Sequence, residues 1–281
     1  MILVVGAGTM GHGIAQAAAA AGGRVLLHDV SAERIEAGLA QIGGALARLV
    51  EKGKLTEAAR GEILGRIGAA PDLAAAARSA EFIIEAVPER IELKQETFRA
   101  LDAAAPAGAV LASNTSSLSI ADIASATRRP ASVIGMHFFN PVPLMPLVEL
   151  VRTGDTSDGV IASARSLAET MGKTTILVRD VPGFATSRLG VAIGLEAMRM
   201  LEEGVASAED IDRAMELGYR HPMGPLRLTD LVGLDVRLAI ALHLSRTLDP
   251  VRFAPPAILR RMVSEGRLGR KTGEGFYRWE K

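Results

Sequence analysis

The chain has 281 residues, 48% hydrophobic and 23% charged, enough for a buried core and for about two domains. Its 32 basic and 32 acidic residues cancel, so no global field draws it to nucleic acid or an anionic membrane, and any anionic ligand must be held locally. It has no cysteine, which excludes disulfides, cysteine-ligated zinc and thiol catalysis; no metal site is predicted.

In chain order, ILVVG (2–6) reads as a buried strand, and Thr9 to Ala21 as a helix stopped by Gly22 and Gly23. The chain enters that first strand with no basic segment and no cleavage pattern, which predicts no leader peptide. RVLLHD (24–29) is a second strand, and Ser31 is the predicted N-cap of a long helix reaching about Glu51. Residues 56–67 are helical, EFIIEAV (81–87) is a strand, and residues 92–105 form an amphipathic helix ended by Pro106. AVLASN (109–114) and SVIGMHF (132–138) are further strands. Strands alternating with helices predict an α/β Rossmann-like, doubly wound sheet with helices on both faces.

The pattern changes near RDVPGF (179–184). After it the periodicity is helical, over 185–203, 208–217, about 225–246 and 256–265. The expected domains are residues 1–182, the dinucleotide-binding part, and 183–281, a mainly α-helical part. The second part carries many apolar residues for so few helices; a tightly packed core is one reading, and a homodimer formed through it is the favoured one. No segment predicts a membrane span, and the absence of cysteine fits a cytoplasmic protein.

GAGTMG places Gly6, Gly8 and Gly11 in the G-x-G-x-x-G order, with Thr9 and Met10 between them. The motif follows a strand and opens a helix, the context that makes it a dinucleotide fingerprint. Gly6 allows the tight turn, Gly8 lets a pyrophosphate approach, and Gly11 lets helix and strand pack. Asp29 ends the second strand, 18 residues after Gly11. A carboxylate there accepts from the ribose 2′-hydroxyl and repels a 2′-phosphate, so NAD is preferred over NADP; a turn or cap role is the alternative.

The stretch MHFFNPVPLMPLVEL (136–150) carries His137 and Glu149 in apolar runs. A proline-rich turn between two strand ends would let them meet. The carboxylate would then fix the imidazole tautomer and leave the other ring nitrogen to accept a proton. On these residues alone, a structural pair and a catalytic pair are equally open.

GAGTMG, SNTSSLSI (113–120), GMHFFNPVPLMPLVEL, VPGF, HPMGPLRLTDLVGLD (221–235) and GRKTGEGFY (269–277) lie in order along the whole chain. Together they resemble the short-chain L-3-hydroxyacyl-CoA dehydrogenases. The resemblance implies NAD-dependent oxidation of the 3-hydroxyl of an acyl-CoA, with His137 as base and Glu149 as its partner. It implies a substrate contact at Ser116, and cofactor contacts at Glu89, Lys94, Asn114, Asn140 and Lys271. Lys52 matches a lysine that meets CoA phosphates, and Arg48, four residues earlier on the same helical face, and Lys54 would add to it, a solvated helix end being equally open for those two; the family serine seven residues before Lys52 is Ala45 here. A second position departs from the family pattern. PGFATSR has Ser187 where the family commonly has a substrate-holding asparagine, so the donor there is shorter. The alternatives are a relative acting on a hydroxy acid without CoA, such as a sugar acid, and an NAD-binding protein with little turnover.

Overall fold

The computed structural model describes residues 1–280. They divide into two compact units, Met1–Asp180 and a second starting at Val181.

The first unit begins with β1 (Ile2–Val5), fully buried, then α1 (Thr9–Ala20) and β2 (Val25–His28). Next comes α2 (Ala32–Glu51), capped by the Ser31 hydroxyl, which accepts from the Arg34 amide. Its buried residues Ile35, Gly38, Ile42 and Leu46 recur at three- and four-residue spacing, one face of a helix. There follow α3 (Glu57–Gly65), β3 (Ile67–Ala69), α4 (Leu73–Arg78), β4 (Phe82–Glu85) and α5 (Ile91–Ala104). The unit closes with β5 (Val110–Ser113), α6 (Ile120–Ala124), β6 (Val133–Phe138), β7 (Leu147–Arg152), α7 (Asp158–Thr170) and β8 (Thr174–Arg179).

The strands form one sheet in the order β3-β2-β1-β4-β5-β6-β7-β8. The first six run parallel; β7 is antiparallel to β6 and parallel to β8. Strand order reverses between β1 and β4, so right-handed crossovers send their helices to opposite faces there. A crevice opens at the carboxyl ends of those two strands, the usual ligand position in such sheets. The antiparallel turn-back follows from length. Only residues 139–146 join β6 to β7, too few for a parallel crossover, which needs about a dozen. The central strands are continuous apolar runs because both faces are covered. Val4, Ile84, Ala112, Ile134 and Leu150, none more than 1% exposed, lie in one cluster with Ile14 and Leu27.

The second unit is helical: α8 (Thr186–Glu202), α9 (Ala208–Arg213) continued by a π turn over Ala214–Gly218, α10 (Pro225–Val232), α11 (Leu234–Thr247) and α12 (Ala257–Ser264). Its separate core includes Val191, Leu195, Met198, Leu226, Leu234, Leu244, Phe253 and Leu259. Two buried carboxylates organise it. Asp212 accepts the amides of Leu226 and Arg227, the orphan donors at the start of α10, each at 2.8 Å. Asp230 accepts from the amides of Phe276 and Tyr277 and from Trp279 Nε1, at 2.8–2.9 Å, which ties down the C-terminal tail.

The structure differs from the sequence reading in particular elements. The helix expected over about 225–246 is two helices, because Gly233 takes φ 102°, a left-handed value that interrupts the α-helix. The helix expected over 208–217 is α-helical only to Arg213. β3, α4, α6, α7 and β8 were not anticipated.

Candidate active site

The glycine turn sits at the crevice between β1 and β4. Gly6 has φ 101°, and a Cβ on it would lie 2.6 Å from the Ala86 carbonyl, so the turn presses against the chain leaving β4. A Cβ on Gly11 would fall 1.7 Å from the Gly6 carbonyl oxygen; any side chain there breaks the turn. Gly8 differs, since a Cβ on it would meet nothing within 4 Å. Gly8 is also the N-cap of α1 and lends it no side-chain cap. Open space over uncapped first-turn amides suits a phosphate group. Asp29, half-buried, accepts the Ala7 amide on Oδ2 and the Val30 amide on Oδ1, both at 2.7 Å. The carboxylate therefore braces the turn, and its remaining lone pairs can accept from a ribose. Thr9 lines the neighbouring cleft described below, and Met10 packs on the core. These residues fit NAD.

His137 and Glu149 are directly opposed across the β6–β7 ladder. Side chains of such a pair share a face, with Cβ atoms about 5 Å apart. His137 Nδ1 lies 2.7 Å from Glu149 Oε2. Glu149 is fully enclosed, and the His137 side chain is 9% exposed. With the carboxylate ionised, Nδ1 would donate to it, and Nε2 would be the ring nitrogen able to accept a proton. Phe139 tilts against the imidazole at 4.4 Å between ring centres.

Glu89 organises the loop after β5. Its Oε1 accepts from the Thr115 hydroxyl at 2.6 Å and from the Ser116 and Ser117 amides at 2.9 and 3.2 Å. The Ser116 hydroxyl stands 3.3 Å away. Burial alone would raise the Glu89 pKa, but the Lys94 charge and the bonds from Thr115 and Ser116 outweigh it and hold the carboxyl below its ordinary range. Lys94, 1% exposed, lies between Glu85 Oε1 at 2.7 Å and Glu89 Oε2 at 3.4 Å. It also donates to the Val87 carbonyl. The ammonium expected to contact the cofactor is buried and paired with these two carboxylates. Asn114 turns its side chain inward, where Oδ1 accepts the Phe138 amide at 2.9 Å, joining the ends of β5 and β6.

A cleft of about 310 Å³ lies beside the α1 N-terminus. It is lined by Thr9, His12 and Gln16 of α1, by Ala45, Arg48 and Lys52 at the end of α2, and by the turn from Asn140 to Leu144. Arg48 and Lys52 therefore line one cleft. Lys54 lies past the helix end, exposed, and is not among the lining residues. Asn140, expected beside the nicotinamide, lines this cleft. His12 and Gln16 were missed as lining residues; their four-residue spacing on one face of α1 is the signal that could have found them. Lys173 was missed too. It is buried, and its ammonium donates to the Val142 and Met145 carbonyls at 2.6 and 2.9 Å, pinning the turn between His137 and Glu149. Burial holds its pKa below the ordinary lysine range.

In the second unit, Ser187 lies in the first turn of α8. Lys271 pairs with both Asp235 oxygens, at 2.5 and 2.6 Å, at the start of α11. No group of histidine and acidic side chains suited to a metal occurs among the described residues.

A sheet with this switch point, an open glycine turn and an acid at the end of β2 defines an NAD-binding, Rossmann-type dehydrogenase. Residues 1–181 match the 3-hydroxyacyl-CoA dehydrogenase NAD binding domain, and residues 183–279 match the 3-hydroxyacyl-CoA dehydrogenase C-terminal domain. The chain belongs to the 3-hydroxyacyl-CoA dehydrogenase family. It is 47% identical over 279 residues to a probable 3-hydroxybutyryl-CoA dehydrogenase of Bacillus subtilis, covering 99% of this chain and 97% of that one. It is 45% identical to a 3-hydroxybutyryl-CoA dehydrogenase of Bradyrhizobium diazoefficiens, covering 98% and 93%. The crystal structure of (S)-3-hydroxybutyryl-CoA dehydrogenase PaaH1 from Ralstonia eutropha superposes with a TM-score of 0.95 at 42% identity, covering 100% and 99%.

Proposed function

We propose that the protein catalyses the reversible NAD-dependent oxidation of (3S)-3-hydroxyacyl-CoA to 3-oxoacyl-CoA, with a short acyl chain such as 3-hydroxybutyryl. The observation that carries the site assignment is the His137–Glu149 pair, with Nδ1 held on a buried carboxylate at 2.7 Å. NAD, when bound, accepts the hydride from C3. His137 Nε2 takes the proton of the 3-hydroxyl as the C3–O bond becomes a carbonyl. Glu149 stabilises the imidazolium that forms, and the proton then passes to solvent. In the reverse direction the imidazolium polarises the ketone and returns the proton to its oxygen. Ser116 contacts the substrate oxygen, its loop held in shape by Glu89. Arg48 and Lys52 take the CoA phosphates, which favours a CoA ester over a free hydroxy acid.

Dimerisation through the second unit and a cytoplasmic location belong to the same proposal. Leu228, Leu231 and Val232, at helical spacing on α10, and Val236 on α11 are all more than a third exposed, an apolar face suited to a second copy. No helix among the described residues is long and apolar enough to cross a membrane.

The test is NADH consumption with acetoacetyl-CoA, longer 3-oxoacyl-CoA esters and free 3-oxo acids. Acetoacetyl-CoA should turn over, and acetoacetate should not. NADH binding without turnover of any CoA ester would overturn the proposal.

A further inference from the structure

Gln16 is a buried polar side chain with no part in the chemistry proposed above. α1 turns Thr9, His12, Gly13 and Gln16 to the cleft beside its N-terminus, at the three- and four-residue spacing of one helix face. Of the lining residues that can hydrogen-bond through a side chain, Gln16 alone is buried, at 5% exposed. Its carboxamide has two donor hydrogens and an acceptor oxygen. Among the described residues no protein group hydrogen-bonds to either amide atom, and neither atom is sealed from solvent.

The cleft has firm walls, all within the first unit. A Cβ on Gly13 would stand 3.1 Å from Val142 Cβ and Cγ2, so α1 packs closely on the turn that Lys173 pins through the Val142 and Met145 carbonyls. The walls differ in chemistry. Arg48 and Lys52 bring charge from the end of α2, both exposed, while Ala45, Leu49 and Val142 are apolar. A phosphate bonds most strongly to the cations, and a buried neutral amide is not what it needs. A carboxamide left bare in a mostly apolar recess costs free energy. Water can serve it while the cleft is empty of ligand, but the group that matches it best is another amide, which accepts from its nitrogen and donates to its oxygen. A CoA ester brings such groups. Between its phosphates and its thioester, the pantetheine arm carries two secondary amides separated by alkyl segments.

We propose that Gln16 is a specificity-determining contact for the pantetheine arm: its carboxamide exchanges hydrogen bonds with one amide of the arm, while Arg48 and Lys52 hold the phosphates. The inference rests on the reading of this cleft as the CoA site. It adds a neutral contact to the charged ones, and a site built to hydrogen-bond a substrate group discriminates against an analogue that lacks it.

The test compares wild type, Gln16→Met and Lys52→Ala on acetoacetyl-CoA and on acetoacetyl-pantetheine, which keeps both amides and has no phosphate, following KM, kcat, NADH affinity and Tm. Methionine keeps the length and the helical preference of glutamine and removes the amide. Gln16→Met should raise KM roughly 10-fold on both substrates, the scale of one hydrogen bond lost, with kcat, NADH affinity and Tm unchanged. Lys52→Ala should raise KM for acetoacetyl-CoA alone. Gln16→Asn draws the amide back by one carbon and should give a smaller rise on both substrates; it serves instead if the methionine variant folds poorly. Unchanged KM values in the Gln16 variants overturn the inference. So does a rise confined to acetoacetyl-CoA, which assigns Gln16 to the phosphates, or a rise that comes with weaker NADH binding and a lower Tm, which makes Gln16 structural. A wild type that uses acetoacetyl-CoA and not acetoacetyl-pantetheine also overturns it, since the arm then has no contact of its own. If Lys52→Ala leaves both KM values at wild type, the cleft is not the CoA site, and the inference falls with that reading while the proposed chemistry stands. If wild type turns over neither thioester, the proposed function fails and this inference with it.

Discussion

Glu149→Gln is the most informative single substitution. Glutamine keeps the size of the side chain and an oxygen that can still accept from His137 Nδ1, so what it removes is charge. In the proposed mechanism oxidation creates an imidazolium whose Nδ1 lies 2.7 Å from a fully enclosed carboxylate oxygen. Two unit charges about 4 Å apart attract by about 4 kcal/mol at an effective dielectric constant of about 20. The neutral side chain forfeits most of that in the transition state, while the ground state, with neutral imidazole, loses much less. At about 1.4 kcal/mol per decade, kcat for oxidation should fall by roughly 10²–10³, with KM for 3-hydroxybutyryl-CoA and NAD affinity little changed. Steady-state and single-turnover appearance of NADH absorbance measure it, with Tm as the control on folding. A kcat within about tenfold of wild type at unchanged Tm would mean that the pair is structural and that the proton goes elsewhere.

Asp29→Ala should weaken NAD by about 10-fold or more and NADP by less, measured by titration of each; an equal loss would assign Asp29 wholly to the Ala7 amide it already holds. Lys173→Met strips donors from the Val142 and Met145 carbonyls, which should cost about 1–3 kcal/mol in urea unfolding. It should also lower kcat/KM by loosening the turn between His137 and Glu149; stability and kinetics both at wild-type values would remove Lys173 from that role. Glu89 has a folded pKa below its ordinary value. The stability it contributes is thus complete above the unfolded carboxyl pKa, about 4.3, and is lost as pH falls through the folded value. Glu89→Gln should therefore lie furthest below wild type in stability near neutral pH and converge with it in acid, in a series of unfolding curves; a gap that widens as pH falls refutes this.

The parallel strands were legible because each is an unbroken apolar run between helices of clear period. β3 was not, since its three residues are mostly half-exposed and lie at the sheet edge. α4 is an alanine-rich turn and a half with little periodicity to read. The joint at Gly233 was visible as a glycine but not as a break, because an apolar pattern runs on through it and only the backbone angle distinguishes a tolerated helical glycine from a stop.

The site divides along the same line. His137 and Glu149 could be paired from sequence because a short turn between two strands leaves little choice of register, and register decides which side chains meet. Lys94 was legible only as a position. Spacing put a lysine beside the expected cofactor site, but not the buried pairing with Glu85 and Glu89 that holds its ammonium. Ser187 shows the limit most clearly. Read along the chain, it is a shortened donor where the family commonly has asparagine. Whether that weakens a substrate contact depends on the groups that surround it once the chain is folded, and a motif carries the residue without its surroundings, which is why substrate selectivity is the part of this enzyme that its motifs describe least.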